Sequence, residues 1–347
     1  MRTHFVILCA AFAVWAVQAG ASACDGPRCV SGQSAAVQER VAVQGAELFL
    51  SLHGPSCDAP ILLWLHGGPG GAERPLFRHF NGDLEERYNV AYLDQRGAGL
   101  SFDPQADPSE LTIARHVLDL DQIIDRLHAR FPDQPIVLVG HSWGAALGLI
   151  YAHGHPGKVA AVVAVAPLVA SLDQQSAELA FVAEQARRRG DARVLDDIDR
   201  MRPPLDVRQI LRLQQADDRY GGVFHRRPSF TAVTLSGLAQ GLIAPWDIGR
   251  FIRANNVSLR AMHGELGDLD LRVSVRAVAT PVVFMLGRYD HHLDSSISAA
   301  YFQALDAPRK ELIWFAESAH NIPFEQPDLF NDELTAVLTR MGAPPCR

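Results

Sequence analysis

The sequence predicts an α/β fold: an eight-stranded, mostly parallel sheet with a helical lid inserted between strands six and seven. Three observations carry this expectation. Short β-rich runs alternate with helical segments along the chain. The later runs are continuously apolar, as in strands buried on both faces. Between Pro167 and about Val273 helical patterns continue without a convincing strand, over a stretch too long to be a loop.

The N-terminal segment stands apart from the fold. Arg2 precedes an apolar run from Phe5 to Val17, and Ala21-Ser22-Ala23 fits a small-residue cleavage site. The run is shorter than the roughly 20 residues a spanning helix needs. Residues 1–23 therefore read as an export signal, with a periplasmic or extracellular destination; lipidation at Cys24 is the second choice, and an uncleaved anchor the third. Four cysteines would remain, Cys24, Cys29, Cys57 and Cys346. In an exported chain they suggest two disulfides, with Cys24–Cys29 and Cys57–Cys346 the preferred one of three pairings.

The predicted strands are Val41–Gln44, Glu47–His53, Ile61–Leu65, Asn89–Leu93, Ile136–Val139, Ala160–Ala166, Val282–Leu286 and Glu311–Phe315. The first two form a hairpin at an antiparallel edge. Ser109–Phe131 is the clearest helix, with Ile113, Val117, Leu120, Ile124, Leu127 and Phe131 on one face and Asp107-Pro108 as its start signal. Ser176–Arg189 and Val207–Leu213 are helical patterns of the insertion. The resulting division is a core of residues 24–167 and 273–347 around a lid of residues 168–272.

Composition narrows the partners. The 347 residues carry a formal charge of −7, are 48% hydrophobic and 20% charged. That balance fits a globular chain and opposes non-specific binding to nucleic acid or anionic membranes. No later segment is apolar enough to span a membrane. A small molecule or short peptide is the expected partner, and the sequence leaves the oligomeric state open.

The chemistry sits at strand ends. Gly140-His141-Ser142-Trp143-Gly144 follows one strand and opens a helix, the strand–turn–helix elbow that presents a nucleophilic serine. His66-Gly67-Gly68-Pro69-Gly70-Gly71 follows another strand. Its glycines would let backbone N–H groups approach a developing oxyanion, and Gly68 and Trp143 are the candidate donors. A phosphate loop is disfavoured, since neither G-K-[ST] nor G-x-G-x-x-G occurs. Asp290 and His320 each lie just past a strand, giving the chain order Ser142, Asp290, His320. His320 would take the Ser142 proton, and Asp290 would orient its ring.

These motifs, together with Asp94-Gln95-Arg96-Gly97-Ala98-Gly99-Leu100-Ser101, Gly287–Asp290 and Ser318-Ala319-His320, resemble the α/β-hydrolase superfamily. The resemblance is to the branch containing the prolyl aminopeptidases, and it covers the mature chain apart from the lid. It implies a cofactor-free serine hydrolase working through an acyl-enzyme, with Asp94 and Arg96 as framework residues. It also implies acidic lid residues that hold a substrate's free amine. Glu178, Glu184 and Glu265 are the acidic candidates, though none falls on a family motif; Trp246 and Phe251 are candidate lining aromatics. Other readings are a carboxylesterase, a ligand-binding protein on a hydrolase scaffold, and a cofactor-free haloperoxidase. Serine at the elbow disfavours haloalkane dehalogenase and epoxide hydrolase chemistry. His153, His155, His291 and His292 form no recognised metal motif, so no metal is expected.

Overall fold

A computed structural model describes residues 36–226 and 244–345, with Leu235 and Leu238 between them. Residues 1–23, Cys24, Cys29 and Cys346 lie outside the described residues, so the preferred disulfide pairing does too; Cys57 is buried.

Eight strands form one sheet: β1 Val37–Val43, β2 Ala46–His53, β3 Ile61–Leu65, β4 Asn89–Asp94, β5 Ile136–His141, β6 Ala161–Val165, β7 Val282–Gly287 and β8 Lys310–Phe315. Their order is β1-β2-β4-β3-β5-β6-β7-β8. β1 and β2 pair antiparallel, as do β2 and β4, and the remaining pairs are parallel. β1 begins at Val37, four residues before the run at Val41 that announces it. As an edge strand it alternates exposed and covered residues, and Glu39 and Arg40 hide it from a search for apolar runs.

The pleat sorts side chains into two cores. Ile61, Leu63, Leu65, Ile136 and Leu138 face α2 (Ile113–Arg130) and α3 (Trp143–Gly154). Leu62, Trp64, Val137 and Val139 face the opposite layer, which includes Phe330, Leu334 and Val337 of the last helix, Pro327–Arg340. Each fully buried Val, Leu or Ile adds about 1.5–3 kcal/mol of hydrophobic stabilisation.

The helix predicted from Ser109 begins later. Asp107 accepts from the Ser109 N–H but caps only a 3₁₀ turn, Pro108–Glu110. Thr112 is the true cap of α2, its Oγ1 accepting from the Arg115 N–H at 3.1 Å. The two caps lie five residues apart, and only the second leads into the face formed by Leu120, Ile123, Ile124 and Leu127.

Between β6 and β7 the described elements are helical, chiefly α4 Ser171–Arg189, α5 Ala192–Ile198, α6 Val207–Tyr220 and α7 Ile248–Gly267. Val182, Ala186, Val194, Ile198, Met201, Leu205, Leu213 and Ala216 pack into a separate small core. An isolated bridge between Ala170 and Asp270 joins the two ends of this insertion at its base. No described helix is long and apolar enough to cross a membrane.

Candidate active site

The elbow is set by two close approaches. A Cβ at Gly140 would lie 2.4 Å from the Gly144 carbonyl oxygen, and one at Gly144 would lie 2.0 Å from that of Leu65. Both obstacles are backbone, so β5, α3 and β3 meet this closely only through glycine. Ser142 between them holds φ 56°, ψ −118°, a conformation L-residues rarely adopt. Its N–H donates to the Val165 carbonyl at 2.9 Å, which fixes the turn on β6. Trp143 is the first residue of α3, so its N–H has no intrahelical acceptor.

The glycine-rich loop packs on the elbow. A Cβ at Gly67 would stand 3.2 Å from the Ser142 Cβ. The Gln95 N–H donates to His66 Nε2 at 3.0 Å, so His66 is the tautomer whose Nδ1–H donates to the Gly67 carbonyl, at 2.8 Å. Gln95 also gives its amide N–H to the His66 carbonyl and accepts from Trp143 Nε1, binding loop and elbow together. Gly68 follows in this loop with φ 117°. Two α7 side chains hold the same region: Asn255 donates to the Pro69 carbonyl at 3.2 Å and Ser258 to that of Gly97 at 2.9 Å.

His320 and Asp290 meet beside the elbow. His320 Nδ1 donates to Asp290 Oδ2 at 3.0 Å, which leaves Nε2 as the basic nitrogen. Asp290 Oδ1 accepts from the Leu293 N–H at 2.9 Å. The His320 N–H donates to the Val223 carbonyl, so the segment following α6 helps place the ring. His141, next to Ser142, reaches the His320 carbonyl through Nε2 at 3.1 Å. A buried carboxylate orienting an imidazole beside a half-buried serine on a strained turn is an arrangement suited to acyl transfer.

A family model for the alpha/beta hydrolase fold matches residues 60–327. The chain belongs to the α/β-hydrolase family. The probable aminopeptidase YbaC of Bacillus subtilis is 28% identical over 307 residues, covering 87% of this chain and 96% of that protein. The proline iminopeptidase of Arabidopsis thaliana is 39% identical over 106 residues, only 30% of this chain and 26% of its own length. Among solved structures, a proline iminopeptidase of Mycobacterium smegmatis superposes with TM-score 0.66 at 18% identity, covering 88% of this chain and 98% of that one. An esterase of Exiguobacterium antarcticum gives 0.58 at 17%, covering 86% and 98%.

In this α/β-hydrolase burial governs the electrostatics. Burial outweighs the opposing pull of Asp290 and lowers His320 to about 4. Burial alone would raise Asp290, but His320 and the Leu293 N–H overcome it and hold the carboxylate below its ordinary value. His320 is therefore neutral, and able to accept a proton, throughout the neutral range.

The acidic lid candidates separate. Glu178 is 4% exposed and accepts from His292 Nδ1 at 2.9 Å, and the His292 ring lies edge-on to His320 at 4.9 Å between centroids. Glu184 is a surface residue paired with Arg188 at 2.7 Å. Glu265 is exposed and accepts from the Ile113 N–H at 2.6 Å, so it tethers α7 to the start of α2. Trp246 is 82% exposed and so lines no buried surface among the described residues. Phe251 is half-buried.

Sequence reasoning passes over several residues. Asp217, fully buried, joins Glu178 and His292 in a group whose potential ligand atoms lie within 4.8 Å of one another. Burial raises both carboxyl groups; burial would lower His292, but Glu178 lifts it to about 9. One imidazole and two carboxylates could also coordinate a divalent metal. Glu325 accepts from the His225 and Ala319 N–H groups at 2.6 and 2.8 Å, bracing the His320 loop. None of these sits in a motif; only the tertiary fold gives them a neighbour worth noticing. Arg96 and Asp94 are framework in this structure: Arg96 is spent on Asp119 through two 2.7 Å bonds, and Asp94 accepts from the Leu100 N–H.

Proposed function

We propose that the protein is an exported serine hydrolase that cleaves small peptide amides with a free N-terminus. Ser142 is the nucleophile, His320 its general base and then the acid for the leaving group, and Asp290 the orienting carboxylate. The Gly68 and Trp143 N–H groups receive the oxyanion. The observation that carries this reading is the buried 3.0 Å Asp290–His320 hydrogen bond beside an elbow that holds Ser142 at φ 56°. Attack of Ser142 Oγ on the carbonyl transfers its proton to His320 Nε2 and places negative charge on the carbonyl oxygen. Collapse expels the amine with that proton and leaves an acyl-enzyme, which water hydrolyses by the same route.

The peptide preference rests on the resemblance to aminopeptidases and on the Glu178 carboxylate paired with His292, whose ring adjoins His320, as a source of negative charge for a substrate ammonium. An esterase is the second reading. His292 already meets the Glu178 carboxylate, which leaves less charge for an incoming amine. Export, with disulfides among the four remaining cysteines, follows from the N-terminal segment alone.

Ser142→Ala should abolish turnover and fluorophosphonate labelling; undiminished labelling in that variant would refute the nucleophile. A rate comparison of prolyl- and alanyl-naphthylamides against a chain-length series of nitrophenyl esters separates the substrate readings. Peptide turnover with negligible esterase activity supports the aminopeptidase, and the reverse pattern the esterase.

A further inference from the structure

His141 touches two groups that can only accept. Its Nε2 faces the backbone carbonyl of His320 at 3.1 Å, and its Nδ1 faces Glu73 Oε1 at 2.9 Å. A carbonyl never donates, so Nε2 must carry hydrogen. A carboxylate never donates either, so with Glu73 ionised Nδ1 carries hydrogen as well, and the ring is an imidazolium. A neutral ring would need the Glu73 carboxyl group to donate in its place. Glu73 Oε2 is buried and has no hydrogen-bond partner among the described residues, so its contact with His141 is what compensates that burial.

The position of this pair gives it a task. Glu73 stands immediately before the helix Arg74–Asn81, two residues past the glycine-rich loop, and its side chain is turned to His141 rather than to the helix N-terminus. A Cβ at Gly67 would meet Glu73 Oε1 at 3.0 Å, Ser142 Cβ at 3.2 Å and His141 Nδ1 at 3.5 Å. The pair therefore joins the loop, the elbow and the main chain of His320. The groups facing the ring are Glu73 from the start of that helix, His320 from the loop after β8, and Asp290 beyond it after β7. Trp64 of β3 stacks on the ring and Phe324 meets it edge-on, both uncharged.

We propose that His141 is a positioning residue: an imidazolium clamped by Glu73 that holds the His320 main chain in register with Ser142 and the glycine-rich loop. The proposal rests on the serine-hydrolase reading for its kinetic consequence but not for its protonation state. Burial works against the charge, and the Glu73 carboxylate overrides it, so the folded protein holds the proton above the ordinary histidine range. The clamp is complete at low pH and is lost as pH rises through that elevated value.

Glu73→Gln keeps the shape and an acceptor but removes the charge. With that charge gone, burial acts on the His141 proton without its main counterweight, so the ring should turn neutral below the ordinary histidine value of about 6.5; at pH 7 the variant's kcat should be roughly tenfold below wild type, with KM changing less, and its alkaline limb should lie at lower pH. Superimposable pH profiles would overturn the proposal, because a merely structural contact does not move an alkaline limb. Nitrogen-15 spectra of histidine-labelled wild type, assigned with His141→Gln, should show both His141 nitrogens protonated at pH 7; a bare ring nitrogen would overturn it independently. If wild type resists fluorophosphonate, the hydrolase reading fails while the spectra still decide the clamp.

Discussion

Replacing Ser142 by glycine and by alanine removes the same hydroxyl and separates catalysis from strain. Alanine keeps the Cβ and therefore the cost of φ 56°, ψ −118°; glycine is at ease there. A residue held in such a region costs about 1–3 kcal/mol. Glycine returns about 0.5–1 kcal/mol of that through its greater freedom in the unfolded chain. Ser142→Gly should therefore be more stable than Ser142→Ala by up to about 2.5 kcal/mol, which is up to roughly 3 °C in Tm for a chain of this size. Urea unfolding followed by circular dichroism, with calorimetry as a second measure, reads the difference, and both variants should be inactive. At an unstrained position the order is reversed. A glycine variant less stable than the alanine one would show that the elbow is relaxed, and the argument from its backbone would fail.

Three further outcomes follow from the charges. Because burial holds His320 near 4, below its ordinary value of about 6.5, kcat/KM should stay level as pH falls through 6 and drop only near pH 4; a midpoint at 6.5 would mean that the ring is solvated. Arg96→Ala strands the buried Asp119 carboxylate and should cost about 3–5 kcal/mol in urea unfolding, whereas Glu184→Ala, on the surface of α4, should leave the midpoint and kcat/KM unchanged.

The parts of the site that the sequence announced are those fixed by local backbone. The elbow and the glycine-rich loop need particular residues at particular spacings, because β5, α3 and β3 meet backbone to backbone at Gly140 and Gly144. The strands from β3 onward are legible because burial on both faces demands continuous apolar runs. The edge strand β1 and the start of α2 were displaced, since an edge strand carries charge and Asp107 and Thr112 compete as caps.

Asp290 and His320 could be placed by order and strand position, yet only the parallel alignment of β7 and β8 puts their side chains 3.0 Å apart. The lid acids show the limit most clearly. Glu178, Glu184 and Glu265 are alike as letters, and burial alone sends one to His292, one to the surface and one to the cap of α2. The sequence by itself determined the fold class and the elbow, because sterics between chain neighbours are encoded locally. Which lid acid is buried against His292, and which groups face His141, are set only by the sheet and the insertion folding over one another. Desolvation and hydrogen bonding depend on neighbours far apart in the chain, as the separation of 179 residues between His141 and His320 shows.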